Sequence, residues 1–238
     1  MNGMRIAATA DIHAPLYTDL FKKALNDFLK RKIDVNFFVI AGDLIERGDI
    51  NQLDAICPLL DKIDEPIIGC FGNNEYEELE GEIIKKCPRI KFLSDEKVIL
   101  RTSDGTVGVI GSRGALDKPT YWQMRNIPNI RAKYRERVGR IKKLIKELRT
   151  DFKILLIHYP PTYSILEGEN PKFFPQMACK LLESSVKDVD LVVTAHAHKG
   201  LRMVEVEGVP IYNVALPLNE KIVVLNVEPR KKGLEMFF

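Results

Sequence analysis

Apolar and polar positions follow two periods along the chain, and the switches between them outline most of the elements. Ile6 to Ala10 is an apolar run that stops at Asp11, which predicts a strand over 5–10 and a loop over 11–15. Leu16, Leu20, Phe21, Ala24, Leu25, Phe28 and Leu29 then recur at spacings of three and four. That is the stripe of an amphipathic helix ending near Arg31. Val35 to Ala41 is apolar without interruption, as expected of a strand buried on both faces, and Gly42-Asp43 closes it. A helix is expected over 50–63, a strand over 67–71 after Pro66, and a weaker helix over 77–86. This β-α alternation predicts a largely parallel sheet with helices packed on it.

After residue 88 the pattern changes. Short strands are expected over 89–93, 97–102 and 106–110, the last two joined by Ser103-Asp104-Gly105. A polar and aromatic loop covers 111–128, and a long helix covers 130–148. A buried strand over 153–157, a loop over 163–175 and a helix over 177–185 lead to a strand over 191–194. Strands over 201–206, 209–214 and 221–227 follow, with Gly208 supplying a hairpin turn. With no linker or repeat in sight, residues 1–238 read as a single domain. Its two similar halves suggest two sheets packed face to face with helices outside.

Composition narrows the partners. A chain with 45% hydrophobic and 29% charged residues is an ordinary globular protein, and its wealth of Glu, Lys and Arg suits a heat-adapted one. A net charge of +3 is compatible with an anionic substrate but too small to argue for nucleic acid. The helix over 130–148 buries the stripe Tyr134, Val138, Ile141, Ile145 and Leu148 and, with Arg149 just past its end, turns nine Lys and Arg residues outward. No aromatic residue interleaves with those charges, so a solvated face is favoured over a nucleic-acid surface. Cys57, Cys70, Cys87 and Cys179 are scattered, and reduced thiols are expected, with a cysteine zinc site as the alternative. No signal peptide is visible, and no apolar run nears the roughly 18 residues of a membrane span. A cytoplasmic protein without membrane contact is therefore expected. The apolar Met236-Phe237-Phe238 is expected to pack on the body or to form a homo-oligomer contact.

The chemistry lies at strand ends. All four histidines follow apolar or small runs: His13 in Asp11-Ile12-His13, His158 after Ile154–Ile157, and His196 and His198 after Val192-Val193-Thr194-Ala195. Gly42-Asp43 and Gly72-Asn73-Asn74-Glu75 end two further strands. Parallel strands share a carboxyl edge, so these ends converge. In extended chain, residues two apart point to one side, and Asp11 and His13 would grip one ion. His196 and His198 would do the same, or would divide between two ions if their turn bends. Two carboxylates, four imidazoles and one amide exceed one tetrahedral site and suit two ions with open positions. Nitrogen and oxygen donors without thiolate favour Mn, Fe, Zn, Co or Ni over Mg or Ca.

In this order the residues resemble the calcineurin-like metallophosphoesterases, whose motifs are D-x-H, G-D, G-N-H-[DE], a lone H and G-H-x-H. The match runs from about residue 5 to 200 as Asp11-Ile12-His13, Gly42-Asp43, Gly72-Asn73-Asn74-Glu75, His158 and Ala195-His196-Ala197-His198. The resemblance implies an α/β fold, a four-layer α-β-β-α sandwich of two mixed sheets. It implies a dinuclear centre with Asp11, His13, Asp43 and His198 on one ion. Asp43, Asn73, His158 and His196 would hold the other, with manganese the first choice of metal. It further implies in-line attack of a metal-bound hydroxide on a phosphate ester, which is open to nucleotide-containing substrates.

Two positions depart from the family. Ala195 stands where the family has glycine and asks only for ordinary backbone. Asn74 stands where the family has the histidine near the leaving group, and an amide cannot deliver a proton at neutral pH. A phosphodiester is therefore the expected substrate. A phosphomonoester, including a phosphoprotein, and a scaffold on the same fold with little catalysis are the alternatives. Asn74 and Arg113 are the candidate catalytic residues, Arg113 as a phosphate clamp with a plain ion pair as its alternative. Trp122 and Tyr159 are expected in the core, with stacking on a base or an aromatic ester as the alternative.

Overall fold

The computed structural model describes residues 4–227. Strands β1 (Met4–Thr9), β2 (Phe37–Ala41), β3 (Ile67–Cys70) and β4 (Ile90–Leu93) pair in parallel. The second sheet holds β5 (Glu96–Thr102), β6 (Gly105–Ser112), β7 (Phe152–Ile157), β8 (Leu191–Thr194), β9 (Met203–Val206) and β10 (Val209–Asn213). Its order is β5-β6-β7-β8-β10-β9, antiparallel at both ends and parallel between. β11 (Val223–Val227) returns to the first sheet and pairs antiparallel with β1.

Three apolar zones separate the layers, and strand periodicity assigns each side chain to one of them. Phe37, Val39 and Ala41 face the other sheet, where Val107, Val109, Ile154, Leu156 and Val193 meet them. Phe38 and Ile40 face outward onto α1 (Thr18–Lys30), against Phe21, Leu25 and Phe28. Leu155, Ile157 and Val192 face the other way, onto Tyr134, Val138, Ile141 and Ile145 of α5 (Ile130–Glu147). The central strands are thus apolar on both faces because both are covered. A one-residue slip of β2 would exchange two well-packed faces, so its register is fixed. Part of the polar face of α5 is paired within the fold. Lys133 and Arg137 reach the Glu77 carboxylate at 2.8 and 2.9 Å, and Arg137 also reaches Asp95 at 2.9 Å.

Local structure differs from expectation in five places. The helix expected over 50–63 is a 3-10 turn, Ile50–Ala55, followed by the single turn α2 (Cys57–Leu60). Pro58 offers no N–H to the carbonyl four residues back and its ring crowds that carbonyl, which splits the helix. The helix over 77–86 begins as a 3-10 turn, and only α3 (Glu80–Lys86) is α-helical. The expected loop over 111–128 contains α4 (Tyr121–Asn126), closed by a Thr120–Gln123 capping box. The helix over 177–185 shrinks to a 3-10 turn, Lys180–Leu182, and α6 (Glu183–Val186). The N–H groups of Cys179 and Lys180 go instead to the Pro160 carbonyl and the Asp117 carboxylate. A further single turn, α7 (Leu216–Asn219), precedes β11.

The expectation of four reduced thiols is corrected. Cys57 opens α2, Cys87 caps α3, and the two form a disulfide with Cα atoms 5.3 Å apart. Cys70 and Cys179 are free and buried. The Met236-Phe237-Phe238 contact lies outside the described residues. No helix of the described residues is long and apolar enough to cross a membrane.

Candidate metal centre

Both sheets bring strand ends to one place. Asp11 and His13 follow β1, Asp43 follows β2, and Asn73 follows β3. From the second sheet, His158 follows β7, and His196 and His198 follow β8. Donor atoms of Asp11, His13 and His198 lie within 4.8 Å of one another, and so do those of Asp43, His158 and His196. The His196–His198 pair is therefore divided between two groups. Asp43 sits between the groups, with Oδ2 3.6 Å from His13 Nε2 and 3.5 Å from His158 Nε2. Two donors on one tetrahedral ion at about 2.1 Å are roughly 3.4 Å apart, which matches this spacing.

The backbone that achieves this is not extended. Asp11, His13, Asp43 and His196 all have left-handed backbone, with φ of 55°, 42°, 53° and 72°. The same-side argument for Asp11 and His13 is thus corrected: the two converge because the chain turns at each. Such residues cost about 1–3 kcal/mol each unless their surroundings hold them. Here Asp11 N–H donates to the Gly42 carbonyl, His13 N–H to the Asp43 carbonyl, and His196 N–H to Asp11 Oδ2, all at 2.9–3.0 Å. Ala195 has ordinary backbone, and His196 takes the left-handed place in that turn. The glycines before Asp43 and Asn73 work by close approach. A Cβ on Gly42 would lie 2.5 Å from the Gly72 nitrogen, and one on Gly72 would strike the Asp43 carboxylate.

Glu75 is the anchor of this loop pair. Its fully buried carboxylate accepts from the N–H groups of Gly72, Asp43, Leu44 and Ile45, at 2.7, 2.9, 2.7 and 3.2 Å. Burial and the Asp43 charge push its carboxyl upward, and the N–H groups of Gly72 and Ile45 oppose them.

The imidazoles are aimed by their outer nitrogens. His158 Nδ1 donates to the Ala41 carbonyl at 2.8 Å, which leaves the Nε2 lone pair facing Asn73 Oδ1 at 3.0 Å. His13 Nδ1 meets Glu46 Oε2 at 2.8 Å and turns Nε2 inward. His13 Nε2 and Asp11 Oδ1 are buried without a hydrogen-bond partner. Two acceptors facing each other and two orphaned donor atoms fit a cation and nothing apolar. Titration agrees. Burial pushes Asp11 up, but His13 and His198 outweigh it and hold the carboxyl far below the usual range. Burial pushes His13 down, but Asp11 and Asp43 outweigh it and raise the imidazole to about 9, so positive charge is drawn to this spot. His196, lowered to about 3 by burial and by His158, keeps a free lone pair.

Glu46 has no marker in the sequence beyond standing three residues after Asp43, and sequence reading misses it. Because it orients His13, Glu46→Ala should weaken metal retention 10- to 100-fold. Measuring bound metal against rising chelator tests this, and retention equal to wild type would count against it.

The two candidate catalytic residues lie in different surroundings. Asn74 donates its side-chain amide to Asp43 Oδ2 and its N–H to Asp43 Oδ1, both at 2.8 Å, while Oδ1 accepts from Arg47 N–H. Arg113 lines the adjoining cavity and is held by Glu80 at 2.8 Å. Tyr159 is in the core as expected. Trp122 is not: it is 50% exposed and stacks on Tyr76, while its neighbour Gln123 takes the buried side of α4.

Fold and site together define a two-sheet α/β sandwich with a mixed nitrogen and oxygen donor cluster at the strand ends. Residues 4–200 match the family model for calcineurin-like phosphoesterases, and the chain belongs to that family. Among curated protein sequences none matches. Among solved structures the chain is similar to a 5'-nucleotidase precursor from Thermus thermophilus, at 15% identity and a TM-score of 0.54, over 95% of this chain and 55% of that one. It is similar to the Thermus thermophilus sulfate thiohydrolase SoxB at 10% identity and a TM-score of 0.58, over 96% of this chain and 55% of that one. GAP50, the anchor in the inner membrane complex of Plasmodium, is similar at 14% identity and a TM-score of 0.56, over 91% and 73%. The chain spans about half the length of the first two. At these identities the likeness is one of fold.

Proposed function

We propose that this protein hydrolyses phosphate esters, with phosphodiesters preferred, at a centre of two divalent transition-metal ions. The observation that carries this is the pair of donor groups meeting at Asp43, with Asp11 Oδ1 and His13 Nε2 buried and unpartnered between them. Asp11, His13, Asp43 and His198 would hold one ion, and Asp43, Asn73, His158 and His196 the other. Manganese is the first choice, and Fe, Zn, Co and Ni suit the same donors. When bound, such ions acidify water and neutralise charge on the phosphoryl oxygens.

The chain's own residues set the preference. Asn74 fixes the Asp43 carboxylate and can offer a phosphoryl oxygen an N–H, but it holds no proton to give a poor leaving group. Arg113, paired with Glu80, adds little net charge for the dianion of a monoester. Both features favour a diester monoanion with a good leaving group.

Bis-p-nitrophenyl phosphate should be cleaved by manganese-loaded protein and not by chelated protein. Failure of metal-loaded protein on this ester and on a panel of nucleotides would overturn the proposal in favour of a scaffold. Asn74→His should raise turnover of esters with poor leaving groups at least about tenfold, since a general acid is worth 10²–10⁴. An unchanged rate with metals still bound would count against this account of position 74.

A further inference from the structure

The candidate metal donors border two cavities that share part of their lining. The one over Asn73, Asn74 and His196 has a volume of about 530 Å³. The other, about 190 Å³, runs from Asn73 away toward α5. Tyr76 and Trp122 line both, so they form the wall between the place for phosphate and a second compartment. Together the two fall within the roughly 300–1,000 Å³ of small-ligand sites.

The wall is rigid. Tyr76 directly follows the anchor Glu75, and a Cβ on Gly48 would come within 2.6 Å of its ring, so one face of Tyr76 lies on bare backbone. The other face meets Trp122, with centroids 5.8 Å apart and planes at 21°. Trp122 is held by its neighbour Gln123, which completes the capping box and donates to the Tyr159 hydroxyl at 3.2 Å, next to His158. This stack of backbone, phenol and indole ends on an indole that is half exposed.

The second compartment is also electrically quiet. Lys133 and Arg137 are matched by Glu77 and Asp95, and Arg113 by Glu80. Glu78 adds negative charge at the lining, which opposes a second phosphate. What remains is a flat aromatic surface with amide edges from Asn73 and Asn126. We infer that this compartment takes the nucleoside part of a nucleotide ester, with the base stacked on Trp122. This rests on the phosphoesterase reading of the metal centre.

Trp122 is the single tryptophan of the chain, so its emission reports on stacking directly. Manganese-loaded protein is titrated with adenosine 5'-monophosphate, ribose 5-phosphate and phenyl phosphate, with fluorescence and calorimetry as readouts. The nucleotide should quench saturably and bind at least about fivefold tighter than ribose 5-phosphate, the low end of base–aromatic stacking. Trp122→Ala should bring the two dissociation constants together without moving that of ribose 5-phosphate, and Trp122→Phe should restore most of the gap. Equal binding in wild type, a gap that survives Trp122→Ala, or phenyl phosphate matching the nucleotide would overturn the inference. Binding needs no turnover, so quenching without hydrolysis drops the hydrolase reading alone. Hydrolysis of bis-p-nitrophenyl phosphate without quenching drops the nucleoside compartment alone.

Discussion

Glu75→Ala should cost the protein about 4 kcal/mol and strip it of metal at the same time. Four buried N–H groups converge on that carboxylate, from Gly72, Asp43, Leu44 and Ile45. Each orphaned donor costs roughly 1–3 kcal/mol, and water entering the vacated space recovers part of the sum. The loss should appear as a lower denaturant midpoint at unchanged slope, because the fold survives while its loops separate. Glu75→Gln should fall between, since an amide oxygen serves two of the donors and its NH2 opposes the others. A loss under about 1 kcal/mol with full metal content would show that the loops hold Asp43 without Glu75.

That role also marks where sequence reading stops. The five strands that carry the candidate ligands are legible because a strand covered on both faces is a continuous apolar run, and each candidate stands just after one. The family order of Asp11, His13, Asp43, Asn73, His158, His196 and His198 then supplies a grouping, and the fold gathers Asp11, His13 and His198 in one place and Asp43, His158 and His196 in another. Glu75 is visible as an acidic position, but its partners are backbone N–H groups, which any residue type provides. The left-handed turns at Asp11, His13 and His196 are equally silent, since none of these is glycine. Periodicity over 50–63 missed the break at Pro58 because apolar spacing continues across it. The Thr120–Gln123 capping box was written in the sequence, but six residues show too little periodicity to reveal a helix.

Opening the Cys57–Cys87 disulfide should destabilise the protein by about 3.5 kcal/mol. The bridge closes a loop with a sequence separation of 30, and confining that loop in the unfolded chain accounts for this amount. At roughly 2–4 °C per kcal/mol for a chain of this size, Tm should fall about 10 °C in reductant. The double variant Cys57→Ser, Cys87→Ser should melt at the same lowered temperature with or without reductant. Thiol titration in denaturant should find the two free cysteines, Cys70 and Cys179, before reduction and all four afterwards. A melting curve indifferent to reductant would show that the bridge contributes nothing to stability. Two residues 30 apart carry no mark of pairing, since the bond depends on how α2 and α3 pack.

The return of β11 to β1 has a consequence for a chain emerging from the ribosome. β1 is made before the other strands of its sheet, yet the strand that completes its outer flank, Val223–Val227, is made more than two hundred residues later. Until then Met4–Thr9 presents open N–H and C=O groups along an apolar strand, an invitation to edge-to-edge association. Pairing so distant in sequence is also slow to form. The N-terminal sheet, which carries Asp11, His13 and Asp43, therefore stays open along one edge until the last of the described strands is made.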